Sequence, residues 1–250
     1  MTDRGQSNTL GFILLFSIVL ASLGVVATAG VDTLESGRDV ATSQNVEQSF
    51  RELAGAATDV HRENVSSRTA RMRLGNGQLE VGEDTEITVD VDSTADTEVD
   101  ELSVTPITYS IDDRDVTYEG TAVVREEGGG SILVRKPDFH LDADGGLVVV
   151  PVVQTSQVGD TASVGGGQAE VRLLRGDADV TVVRPDSSTD VTLTVDPPDS
   201  RVEAWETALE SASDGCSVDS DGTEAWAECP VSDDDTVIVR HVEVEFEFGG

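Results

Sequence analysis

At 250 residues the chain can bury one large core or two small ones. Its 49 acidic residues against 16 basic ones give a formal net charge of −33, which excludes nucleic acid as a partner, since gripping phosphates needs a basic surface. An apolar content of 38 % with regular strand patterns excludes a disordered acidic tail.

The charge is unevenly spread. Residues 1–75 hold eight acids and seven Arg, a net of −1, whereas residues 76–250 hold 41 acids and nine bases, a net of −32. A nearly neutral front and a strongly acidic back imply two parts with different surroundings. All the basic residues are Arg except Lys136. Such acidity with almost no Lys and with abundant Thr, Val and Gly resembles proteins of salt-loving archaea. At molar salt the Debye length is about 3 Å, so charges that repel each other in dilute buffer are screened.

From the N-terminus, no charged residue stands between Arg4 and Asp32. Leu10 to Ala29 is an apolar run of about 20 residues, which as a helix rises about 30 Å and matches a bilayer core. No Pro precedes Pro106, so the pattern predicts one helix from Thr9 to Asn64. After Asp32 the apolar positions become periodic: Val46, Phe50, Leu53, Ala57 and Val60 share one face, with Glu47, Gln48, Arg51, Glu52 and Arg62 mostly elsewhere. A neutral stem of this kind avoids placing like charges in low dielectric. Three uses of the run are open. It serves as a secretory signal cut after Ala27-Thr28-Ala29, as a plain N-terminal anchor, or as a class III signal cut ahead of the helix.

Arg4-Gly5-Gln6-Ser7, followed by a short polar spacer and a run of Leu, Ile, Val, Phe, Gly and Ala, resembles the N-terminus of archaeal type IV pilin-like proteins, archaellins included. The likeness covers the chain to about residue 45. It implies a leader, residues 1–5, removed by a prepilin-type peptidase between Gly5 and Gln6. Residues 6–30 follow as a transmembrane and assembly helix, and residues 31–65 as an amphipathic helical stem. It also implies a single-pass protein of the cell membrane, with a cytoplasmic N-terminus and an extracellular C-terminal domain, assembled into a surface filament. Its partners would be membrane lipid, the peptidase and other pilin-like subunits. Many family members carry a Glu five residues into the mature chain, where this chain has Leu10, and the departure favours a minor subunit. The competing class is a permanently anchored surface protein whose head binds a ligand without polymerising.

From about Ser66 the period becomes two. Ile87, Val89 and Val91, then Val191, Leu193 and Val195, and finally Val242, Val244, Phe246 and Phe248 alternate with polar residues. Further β runs cover Val99 to Ile111, Val116 to Val124, Ile132 to Val134, Leu147 to Val153, Val171 to Leu174 and Val180 to Val183. Asn76-Gly77, Gly128-Gly129-Gly130, Asp144-Gly145-Gly146 and Gly165-Gly166-Gly167 read as turns between them. One helix interrupts, from Pro198 through Val202, Trp205, Leu209 and Ala212 to a stop at Gly215. The fold class expected is α+β: a long N-terminal helix, transmembrane plus stem, then an acidic antiparallel all-β sandwich head over residues 66–250 with one short helix. The head also resembles, more loosely, the acidic β-rich heads of haloarchaeal pilin-like proteins of unassigned function.

Cys216 and Cys229 are the only cysteines and are expected to form a disulfide in an exported head, stabilising it by about 3 kcal/mol of loop entropy. The alternative is two buried free thiols. Between them Asp219, Asp221, Gly222 and Glu228 fall on positions 3, 5, 6 and 12 of a calcium loop. Position 1 is Ser217 and position 8 is Glu224, and flanking helices are missing, so an acidic surface loop is the better reading. His61, His140 and His241 show no metal-ligand spacing and read as structural or surface residues. Nucleophile-elbow, P-loop and dinucleotide motifs are absent, so no enzyme activity and no cofactor is expected. Asn64-Val65-Ser66 is an N-glycosylation sequon near the junction of stem and head.

Overall fold

The computed structural model describes residues 4–63, 65–91 and 99–249, with side chains at 11–24, 44–63, 65–91 and 102–249. It divides into two compact units, Met1–Asn45 and Val46–Gly250. Helix α1 (Arg4–Arg62) contributes to both.

In the first unit every described side chain of residues 11–24 is exposed, including nine large apolar ones between Phe12 and Leu23. Ser17 and Ser22 return their hydroxyls to the carbonyls of Ile13 and Val19, at 2.8 and 2.9 Å. The expected transmembrane helix is not borne out: among the described residues no helix is long and apolar enough to cross a membrane. Single-pass placement in the cell membrane loses its support with it.

The second unit holds the last turns of α1 and fifteen strands. These are β1 (Ser67–Val81), β2 (Thr85–Val91), β3 (Val99–Val104), β4 (Ile107–Ile111), β5 (Arg114–Glu119), β6 (Ala122–Glu127), β7 (Gly130–Arg135) and β8 (His140–Asp142). Then come β9 (Leu147–Gln157), β10 (Ser163–Val183) and β11 (Thr189–Asp196), a 3-10 turn (Asp199–Arg201) and helix α2 (Val202–Ala212). The chain closes with β12 (Ser213–Asp214), β13 (Ser217–Ser220), β14 (Ala225–Val231) and β15 (Thr236–Gly249). A ten-stranded sheet runs β12-β8-β9-β15-β10-β1-β4-β5-β6-β7, and a five-stranded one runs β13-β14-β11-β2-β3.

The purely antiparallel sandwich is also corrected. β9 and β15 pair in parallel from Leu147↔Thr236 to Gln157↔Phe246, and β8 pairs in parallel with β12. Parallel neighbours need a crossover of a dozen or more residues, and the chain between β9 and β15 supplies one through the smaller sheet and α2. The run Val99 to Ile111 is two strands in different sheets, parted at Pro106. There Thr105 N–H donates to Thr155 O while Thr155 Oγ1 donates back to Thr105 O. Two supposed turns lie inside long strands. Gly75 pairs with Gly167 and Gln78 with Gly165, so both glycine clusters form a paired irregularity of β1 and β10.

β15 explains how one sheet serves two cores. Val237 and Val239 lie in the core shared by the small sheet and α2, with Val148, Val150, Val191, Leu193, Trp205 and Leu209. Val242, Val244, Phe246 and Phe248 have the opposite parity, face the other side, and join Val46, Phe50, Leu53, Ala57 and Val60 of α1. The expected apolar faces of the stem end and of the last strand are therefore one packed surface. α2 behaves as expected, burying Val202, Trp205 and Leu209 and ending before Gly215 at φ +75°.

Tyr109 lies over the bulge in β1 and donates its hydroxyl to Leu74 O at 2.8 Å. A Cβ at Gly77 would stand 2.3 Å from the Tyr109 ring, whereas one at Gly165 would meet nothing within 4 Å. Gly77→Ala is expected to lower stability by about 1–3 kcal/mol in urea unfolding, with Gly165→Ala close to wild type.

Candidate functional site

The C-terminal end of α1 is held by basic groups, as the dipole and the unpaired carbonyls of a helix end demand. Arg175 Nη1 donates to Val60 O at 2.7 Å, and Arg240 donates to His61 O. Beside this end Asp138 accepts contacts from His61 Nε2 at 3.3 Å, Thr58 Oγ1 at 3.4 Å and Arg135 Nη2 at 3.3 Å, with Arg62 Nε at 3.5 Å. Burial works to raise the Asp138 carboxyl. The hydrogen bond from His61 and the charges of Arg135 and Arg62 outweigh it and hold the group below its ordinary range.

The next link is the β5–β6 turn, Gly120-Thr121, where both residues have positive φ, 49° and 75°. Two left-handed residues make the hairpin turn that follows strand twist, and a β-branched Thr there is strained by about 1–3 kcal/mol. Its surroundings hold it in place. Thr121 Oγ1 accepts from Asp138 N–H at 2.9 Å and Thr121 O from Arg135 Nη1 at 2.9 Å. The residue before the turn is Glu119, fully buried. Its carboxylate accepts from Thr85 Oγ1 at 2.6 Å and Trp205 Nε1 at 2.8 Å, and pairs with Arg201 Nη2 at 3.2 Å. Arg201, itself buried, also donates to Glu83 O at 2.9 Å. Burial pushes the Glu119 carboxyl above its ordinary range, while Arg201 and the two hydrogen bonds pull it back.

Of the residues singled out in sequence, Gly5 and Gln6 lie within the span of α1, and Asn64 lies outside the described residues. Cys216 and Cys229 are joined as a disulfide. Asp219 and Glu228 stand on the β13–β14 hairpin. Asp221 Oδ1 is occupied by its own turn, accepting from Thr223 N and Oγ1 and from Glu224 N. Those three donors hold its carboxyl below the ordinary range. Among the described residues no three His, Cys, Asp or Glu side chains come together to hold a metal ion. His241 Nε2 meets Gln154 Oε1 at 2.9 Å, and His140 lies 3.9 Å from Asp142. Sequence reasoning passed over Glu119 and Asp138, because acids in a chain this acidic carry no individual signal, and over Arg201, whose partners come from other elements of the fold. An open depression of about 290 Å³ between Ser188, Asp190, Pro230 and Asp235 has no such buried charge in its lining.

Residues 4–247 match a family described as a family of unknown function (DUF7289). The chain belongs to that family. No curated protein and no solved structure matches it. The match runs through both compact units, so the α1 segment and the β head are inherited together.

Replacing Glu119 by Gln leaves the buried Arg201 with only the longer pairing to Glu126, 3.8 Å from its Nη1. The expected loss is about 3 kcal/mol, read by urea unfolding at fixed salt, and Glu119→Leu with Arg201→Met together should recover most of it. Asp138 titrates lower in the folded chain than unfolded, so its contribution is complete above about pH 4 and disappears as pH falls through the folded value. The stability gap between wild type and Asp138→Asn should close as the pH falls below about 4.

Proposed function

We propose that the chain is a structural subunit, of the minor kind, in a type IV pilus-like filament. The first part of α1 packs against the same part of other subunits, and the acidic head faces brine or neighbouring heads. The observation that carries this reading is the exposed, charge-free stretch of residues 11–24, whose large apolar side chains from Phe12 to Leu23 are 44–71 % exposed. A continuous apolar surface of that kind on a folded chain is a contact surface waiting for a partner. Helices of identical sequence suit it, since small residues such as Gly11 and Gly24 let backbones approach and no charge must be desolvated.

Three further features support the reading. The motif Arg4-Gly5-Gln6-Ser7 stands ahead of the apolar stretch, as the peptidase of pilin-like proteins requires. The Cys216–Cys229 disulfide suits an oxidising compartment. The family match takes helix and head as one inherited unit. The role is mechanical: the helix supplies cohesion, and the head supplies an acidic surface that stays hydrated at high salt.

Mass spectrometry of the mature protein from its native source tests the proposal. A chain beginning at Gln6 is the expected result. A chain beginning at Met1 or Thr2 and absent from purified filaments would leave a non-polymerising head as the better reading.

A further inference from the structure

β10 contains a bulge between Arg175 and Ala178, where its pairing with β15 slips by one residue. Beyond it β10 has a partner on one side only among the described residues. The ladder with β15 continues from Ala178↔Val242 to Val183↔Val237, whereas β1 has already left at Ser67↔Leu174. The second rim of residues 176–183 therefore presents backbone N–H and C=O groups with no ladder partner. Natural edges are guarded by Lys or other charges, by Pro, by bulges or by a covering element, and of these the rim has the bulge at its start and two carboxylates, Asp177 and Asp179. It has neither Lys nor Pro before Pro185, and Asp177, Ala178, Asp179, Val180 and Val182 are all exposed.

The side chains narrow the partner. After the bulge Val180 and Val182 share a face with their β15 partners Arg240 and Ile238, and Ile238 pairs in turn with Val149 of β9. Val180 and Val182 are the only exposed large apolar residues of β10. Asp179 and Thr181 point to the other face.

We propose that this rim pairs antiparallel with the same rim of a second copy, Val180 opposite Val180. In that register Ala178 lies opposite Val182, and Asp179 opposite Thr181. Apolar residues meet apolar residues on one face, and no carboxylate opposes another on either. A second copy offers both the extended backbone and this side-chain order, and the repulsion between two acidic heads is removed once salt screens their charge. The contact is isologous and closes as a dimer of heads, so it is separate from any packing of α1 and goes beyond the filament reading.

The test is Val180→Cys in the full chain, with the native disulfide intact and mild oxidation followed by non-reducing electrophoresis. Paired residues in an antiparallel ladder have Cα atoms about 4.5–5.5 Å apart, within reach of a disulfide. A covalent dimer is expected. Val182→Cys is the control: the two positions are 52 % and 49 % exposed, so random collision would oxidise both alike. In the proposed register the Val182 positions of two copies stand about 13 Å apart along the strands and stay unlinked. Adding Val182→Lys to Val180→Cys should cut the dimer yield by about tenfold with an unchanged urea midpoint. No dimer from Val180→Cys, equal rates from both single variants, or an undiminished yield with Val182→Lys would overturn the proposal.

Discussion

A buried carboxylate fixes the arrangement of the head. Glu119, at the end of β5 in the large sheet, is gripped by Thr85 from the small sheet, by Arg201 from the 3-10 turn and by Trp205 from α2. Four segments are thereby tied to one side chain. Ionised groups taken out of water are costly, and each partner here offsets part of that cost only while the others stay in place. Alternatives that slide one sheet over the other would strand a charge in the core.

The strained hairpin Gly120-Thr121 carries this constraint across the sheet. On one side of the turn is Glu119. On the other, Thr121 holds Asp138 and Arg135, which in turn meet Thr58 and His61 near the end of α1. A single buried turn therefore stands between the core under α2 and the core under α1. The backbone strain at Thr121 persists because both neighbouring networks hold it.

Charge distribution gives the two units different physics. The head carries nearly all the net charge of the chain and keeps its carboxylates on exposed strand positions such as Glu243, Glu245 and Asp219. The described stretch of α1 from Gly11 to Gly24 carries no charge and is exposed. The acidic surface of the head keeps copies apart until salt screens it.

Much of this was legible in the sequence, where a local rule decided it. Period 3.6 placed Val46, Phe50, Leu53, Ala57 and Val60 on one buried face, and period two marked Val242 to Phe248 as a half-buried strand, because side-chain direction is fixed by the backbone alone. Cys216 and Cys229, the only pair, were expected to form a disulfide, and they do. Other features depended on neighbours that the local pattern does not reveal. Asn76-Gly77 and Gly165 to Gly167 carry turn chemistry, yet pairing with each other makes them irregularities inside strands. The parallel pairing of β9 with β15, which breaks the antiparallel sandwich, depends on how a long crossover packs. Glu119 is one of 49 acids in sequence, and only burial beside Arg201 distinguishes it. The sequence by itself determined which residues alternate, which face of α1 is apolar and where the charge lies, since these follow from covalent order and helix or strand period. Which strands meet, which carboxylate is buried and which rim of β10 is left open were decided by tertiary structure, because long-range pairing is selected by the packing of the whole core.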